Sequence, residues 1–187
     1  MPFLSEADRS SLLELARRTI TQVVASQKLP EKAPREGVFA ERRGVFVTLH
    51  ALGRLRGCIG VVEPYQPLGD ALIHCAACAA LQDPRFSPVR AEELPGLQIE
   101  ISLLSVLEPI QPERVEIGKH GLLIAQGMHR GLLLPQVAVE HELGREEFLE
   151  ETCRKAGLPL NAWREVETQV FGFTCEVFSE VQQTEGP

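Results

Sequence analysis

Between Val45 and Val62 the hydrophobic period is two, and this alternation constrains the fold more than any other feature of the chain. Val45, Val47 and Leu49 alternate with Phe46, Thr48 and His50, and after Ala51-Leu52-Gly53 a second run continues to Val62. A side-chain period of two fits a half-buried strand and does not fit a helix. Two such runs joined across a glycine predict a β-hairpin, with Gly53 in the left-handed turn position. On the second strand, Leu55, Ile59 and Val61 are expected on one face, with Arg54, Arg56, Cys58 and Gly60 on the other.

Helical spacing flanks this hairpin. Ser5 with Asp8 is a capping-box signal, and Leu13, Ala16, Ile20 and Val23 with Val24 then recur on one face, so a first helix is expected to end before Pro30. The stretch 28–37 holds two prolines and a glycine among mixed charges and reads as a loop. Pro67 suits the first turn of an Ala-rich helix through Leu68, Leu72, Cys75 and Ala79 to about Gln82, which Asp83-Pro84 stops. A third strand is expected from Leu97 to Leu107, with Gln98, Glu100 and Ser102 on its polar face. A short hairpin follows, Gly121 to Ala125 and Gly131 to Leu134, turning at Gly127. Arg145 to Ala156 form a helix capped by Gly157, and a last strand spans about Glu167 to Val177, with Phe171, Phe173, Cys175 and Val177 inward. Helices inserted between hairpins, without strict alternation, predict an α+β fold. The expectation is a mainly antiparallel β-sheet flanked by helices, with a smaller secondary lobe, in a single domain over 1–187.

Composition narrows the function. At 187 residues, 44% hydrophobic and 24% charged, the chain can bury one sizeable core. Five cysteines, an odd number, argue for reduced thiols and a cytoplasmic protein rather than a disulfide scaffold. The longest apolar run, about Ala71 to Leu81, is broken by His74 and too short to cross a bilayer, and the N-terminus lacks a basic-then-apolar leader, so no membrane partner is expected. A net charge of -7 argues against a broad phosphate-binding surface and hence against nucleic acid. There is no Walker loop, no GxGxxG after a strand and no HExxH, so no cofactor is expected. His74, Cys75 and Cys78 contain a CxxC, but no second ligand pair follows. No metal is expected, and small core residues are the better reading.

Chemistry concentrates in LRGCIG, Leu55 to Gly60. Gly57 and Gly60 strip side-chain cover from around Cys58, and arginines on the same face would favour the thiolate that attacks electrophiles. Packing is the competing account, because cysteine is among the most buried residue types. A nucleophile needs a base, for which His50 and His120 are candidates. Glu100 stands on the polar face of a strand and needs a partner, which Arg56 or Arg85 would supply by bidentate pairing.

LRGCIG, DPRF (Asp83 to Phe86), ELPGLQIEISLLS (Glu93 to Ser105), GKHGL (Gly118 to Leu122), LLLPQVA (Leu132 to Ala138) and KAGL (Lys155 to Leu158) occur together and in this order. On these motifs the chain resembles the AMMECR domain family over about Leu12 to Phe178. The resemblance implies an α+β fold with a cleft near the LRGCIG strand. It also implies a functional neighbourhood, since bacterial relatives look like component A of the AmmeMemoRadiSam system, beside a Memo-type protein and a radical S-adenosylmethionine protein. Matched residue by residue, it selects Arg56, Gly57, Cys58, Gly60, Arg85, Glu100 and His120. The resulting expectation is a catalytic component acting on a small anionic molecule. Cys58 would be nucleophile or anchoring thiol, Arg56 and Arg85 would grip the anion, and His120 would be the base. The alternative is a non-catalytic adaptor whose LRGCIG strand shapes a docking groove for a protein or peptide.

Overall fold

A computed structural model of the protein describes residues 4–29, 33–63 and 65–180. The fold is α+β, and the chain divides into two compact units. The first comprises Met1–Leu103 with Glu176–Pro187, the second Leu104–Cys175.

In the first unit, α1 (Glu6–Ser26) starts at Ser5, whose hydroxyl accepts the Asp8 backbone N–H while the Asp8 carboxylate accepts the Ser5 N–H. Both orphan donors at the helix start are satisfied reciprocally. Leu12, Leu15, Ala16, Ile20 and Val23 form its buried stripe. β1 (Val45–Ala51) and β2 (Arg54–Val61) make the expected antiparallel hairpin. Both central turn residues have positive φ, Leu52 at 51° and Gly53 at 71°, the pairing that matches the twist of a two-residue hairpin. Leu52 tolerates it at 97% exposure, with its side chain in water. α2 (Leu68–Leu81) packs on β1, β2 and α1 and is buried almost all round, which its small residues permit. β3 (Leu97–Leu104) pairs antiparallel with β1, and the sheet order is β2-β1-β3-β8, where β8 is Cys175–Ser179. The core-facing rows are Val45, Val47 and Leu49 on β1 with Ile99, Ile101 and Leu103 on β3, all fully buried.

The second unit holds β4 (Glu108–Pro109), β5 (Gly121–Gln126), β6 (His129–Leu133), α3 (Pro135–Glu140), α4 (Arg145–Lys155) and β7 (Gln169–Phe173), with the sheet in the order β4-β7-β5-β6. Gly127 makes the β5–β6 turn at φ 58°. α4 lays Phe148, Leu149 and Cys153 into this unit's own core.

Three expectations change. The last strand, expected as one segment from Glu167 to Val177, is two strands in two sheets, broken at Thr174. Phe173 is core, but Val177 is 46% exposed. The third strand stops at Leu104, before the expected Leu107, and the short helix α3 had no periodic signal long enough to announce it.

Gly57 shows how closely α2 sits. A Cβ added there would overlap the Ala79 carbonyl oxygen of α2, a backbone atom that cannot rotate away. Gly57→Ala is expected to lower stability by about 1–3 kcal/mol through overpacking. Gly96→Ala, where an added Cβ meets nothing within 4 Å, should stay within about 0.5 kcal/mol of the parent. Urea unfolding midpoints compare the two.

Candidate functional site

The register of β1 with β2 slips between Leu49 and His50: Leu49 lies opposite Gly57, but His50 lies opposite Leu55, leaving Arg56 unopposed in a bulge. A bulge reverses which face each following residue takes. Leu55 therefore shares a face with His50 and Cys58, not with Ile59 as the simple alternation predicts. Arg56, released from the ladder, turns to the 3-10 turn Ala91–Gly96. There its guanidinium forks onto the Glu93 carboxylate at 2.8 and 3.1 Å and donates to the Ser87 carbonyl at 2.9 Å. Its side chain is 14% exposed. The Glu93 hydrogen bond raises the Arg56 pKa, and Arg56 lowers that of Glu93. The expected Arg56–Glu100 pairing is thus replaced by Arg56–Glu93.

β2 is an edge strand, and such an edge must be paired or covered. Here DPRF covers it. The Cys58 backbone N–H donates to Asp83 Oδ2 at 2.8 Å, and the Cys58 carbonyl accepts from Arg85 Nη2 at 3.3 Å. Arg85 also forks onto Asp83, Nε to Oδ1 at 3.0 Å and Nη2 to Oδ2 at 2.7 Å. The Asp83 side chain is 2% exposed, while Arg85 is 54% exposed and lies 5.5 Å from the Phe86 ring centroid. The Arg85 hydrogen bond, followed by the Cys58 and Arg85 backbone donors, holds the Asp83 carboxyl well below the usual carboxylate range against the opposing effect of burial. Arg85 is raised, chiefly by Asp83, with the Cys58 sulfur a smaller contributor. Arg85 therefore pairs with Asp83, and the expected Arg85–Glu100 pairing does not form.

Because both backbone groups of Cys58 point outward to this clamp, Cys58 and Thr48 face each other as a non-hydrogen-bonded pair, the arrangement in which side chains come closest. The Thr48 hydroxyl donates to Cys58 Sγ at 3.2 Å. Thr48 is also opposite Glu100, so Cys58, Thr48 and Glu100 form one row across three strands. The next row is Leu55, His50 and Gln98; on the other side Gly60 lies under the Phe46 ring. Cys58, His50 and Glu100 are each half-buried on this face, opposite to α2. His50 Nε2 is shielded from solvent with no hydrogen-bond partner, and the Glu100 carboxylate has no ion-pair or hydrogen-bond partner among the described residues.

His120 belongs to the second unit. Its Nδ1 accepts the Glu116 backbone N–H at 3.1 Å, and burial, with Lys119 adding, lowers its pKa below the usual histidine value. Three of the remaining thiols, Cys75, Cys78 and Cys153, are buried, while Cys175 is half-buried as Cys58 is. Cys75 is fully buried and its pKa is pushed up to about 12, while burial also raises Cys78 and Cys153.

The AMMECR1 family profile matches residues 13–178. The chain belongs to the AMMECR1 family. A Methanothermobacter thermautotrophicus protein is 45% identical over 187 residues, covering 95% of this chain and 96% of that relative. A Methanosarcina barkeri protein is 44% identical over 95% of this chain and 92% of its own length. The crystal structure of protein PH0010 from Pyrococcus horikoshii superposes with a TM-score of 0.78 at 41% identity, covering 95% of this chain and 93% of that one. Among the described residues, no helix is long and apolar enough to cross a membrane.

The residue that sequence reasoning missed in this AMMECR1 chain is Asp83. It reads as a helix stop before proline, and the signal that would have revealed it is the acid-x-arginine spacing in DPRF. Since folding lowers the Asp83 pKa, its contribution is fully present above the unfolded aspartate value and is lost as pH falls from there toward the folded value. Asp83→Asn should cost about 1.5–3 kcal/mol at neutral pH, the range for hydrogen bonds to a charged group. It should also flatten the loss of stability on acidification below about pH 4, as read by denaturant melts across pH.

Proposed function

We propose that the protein is a cysteine-dependent catalytic component whose centre is the Cys58 face of the first unit's sheet, acting on a small anionic molecule. The observation that carries this reading is an unpartnered imidazole nitrogen on the face of the thiol. Buried polar atoms normally find partners, and the shielded His50 Nε2 has none, while the Glu100 carboxylate on the same sheet face is engaged by no other described residue. Diagonal neighbours across a sheet lie within reach of long side chains; His50 stands diagonally from Cys58, and Glu100 stands diagonally from His50.

In this reading His50 is the base. It takes the thiol proton as Sγ forms a bond to an electrophilic carbon of the substrate, and it returns that proton to the group that leaves. Glu100 orients or balances the imidazolium, and Thr48 steadies the sulfur. Arg85, half exposed and in electrostatic reach of the thiol, is the group that meets the substrate's negative charge; Arg56 is committed to Glu93. The Memo-type and radical S-adenosylmethionine proteins implied by the motifs belong to this proposal as partners that supply its substrate or use its product.

The adaptor alternative draws less support. A docking groove needs motif glycines left bare, but Gly57 is closed by α2 and Gly60 by Phe46.

Labelling with iodoacetamide across pH tests the proposal. Cys58 should react in the folded protein while Cys75, Cys78 and Cys153 stay protected, and His50→Gln should change the pH profile of Cys58 labelling while leaving Cys175 labelling unaltered. A Cys58 that reacts only on unfolding, or a profile indifferent to His50, would sink the catalytic reading.

A further inference from the structure

The second unit has a cleft of about 550 Å³ that the thiol chemistry does not use, built around His120. Its construction is local. The Glu116 carbonyl accepts the backbone N–H groups of Lys119 and His120, Gly118 supplies the positive φ of 80° that this turn requires, and the Glu116 N–H donates to His120 Nδ1. Gly121 follows because the buried Phe173 ring lies where its Cβ would be. Ile110 packs tightly over Gly172 and adds an apolar wall.

The polar groups sort themselves. Nδ1 of His120 is an acceptor, so the neutral ring carries its proton on Nε2 and the free edge is a donor. Lys119 Nζ and Glu116 Oε1 neutralise each other at 2.7 Å. That leaves two charged side chains lining the cleft without an ion-pair or hydrogen-bond partner among the described residues, the Arg114 guanidinium and the Glu108 carboxylate. One unpaired cation and one unpaired anion lining one cleft with a neutral donor and the apolar Ile110 match a ligand that carries both charges on a small apolar body. An anion alone would leave Glu108 opposing it, and a cation alone would leave Arg114 opposing it.

We propose that this cleft binds a free α-amino acid with an apolar side chain, its carboxylate held by Arg114 and His120 Nε2–H, its ammonium by Glu108, and its side chain against Ile110. Arginine suits the carboxylate because its planar fork matches two oxygens.

The test follows backbone amide shifts of the full chain during titration with L-leucine, N-acetyl-leucine, which lacks the ammonium, and leucine amide, which lacks the carboxylate. L-leucine should give saturable shifts over Glu116–Gly121, and each blocked compound should bind about tenfold more weakly or worse. Arg114→Gln should reduce L-leucine to the level of leucine amide without altering leucine amide binding. Glu108→Gln should do the same relative to N-acetyl-leucine. Both residues are exposed, so the dispersed spectrum should persist in each variant. No saturable shift with L-leucine, equal binding of all three compounds, or variants that bind as the parent does would overturn the proposal. These outcomes are independent of Cys58 labelling.

Discussion

The Asp83 carboxylate is the interaction on which the first unit's arrangement around Cys58 depends. An edge strand that carries two glycines in eight residues has little of its own to hold it straight, and its outward backbone groups would otherwise face water or another chain. Asp83 and Arg85 close that edge at one residue, taking both the N–H and the carbonyl of Cys58. The clamp has a geometric consequence. With its backbone groups committed outward, Cys58 must pair with Thr48 in the close, non-hydrogen-bonded manner, and this fixes where the sulfur lies on the sheet face. Since Asp83 lies one residue beyond the Gln82 cap of α2 and Gly57 lets α2 approach β2, helix, strand and clamp form one mechanical unit.

LRGCIG therefore combines two kinds of residue that look alike in a motif. Gly57, Gly60 and Arg56 are explained by contacts within the chain: a helix carbonyl, a phenyl ring and a carboxylate. Cys58 is not explained in that way. A cysteine serving as packing would lie on the α2 face, as Cys75 does from the helix side, and there a thiol is held protonated by burial. Cys58 instead lies half-buried on the opposite face, among a threonine, a histidine and a glutamate.

Much of this was legible in the residues. The β1–β2 hairpin and β3 follow from a period of two, and α1 and α4 follow from their apolar spacing and caps. The bulge at Arg56 left no trace, because it is a mismatch between two strands and neither strand's own alternation records it. The division of the last segment was hidden for a related reason. Phe171, Phe173, Cys175 and Val177 alternate without interruption, yet Thr174 passes the chain from one sheet to another, and periodicity carries no information about which partner a strand adopts. Salt-bridge partners suffered most: Glu100 was the acid visible on a strand, whereas Glu93 and Asp83, in turns, are the acids that the arginines reach.

That reassignment changes what the charges mean. Had Arg56 or Arg85 paired with Glu100, the polar face of β3 would be a structural ion pair and nothing on it would need a further explanation. With each arginine held by a turn carboxylate instead, Glu100 has no ion-pair or hydrogen-bond partner among the described residues, and His50 Nε2 is the one shielded polar side-chain atom of the first unit, among those residues, without a partner. Leaving a shielded imidazole nitrogen without a partner costs stability, and DPRF and the Ala91–Gly96 turn engage the two arginines elsewhere. The cost is located at His50, on the sheet face that carries Cys58 and that the folding core does not need.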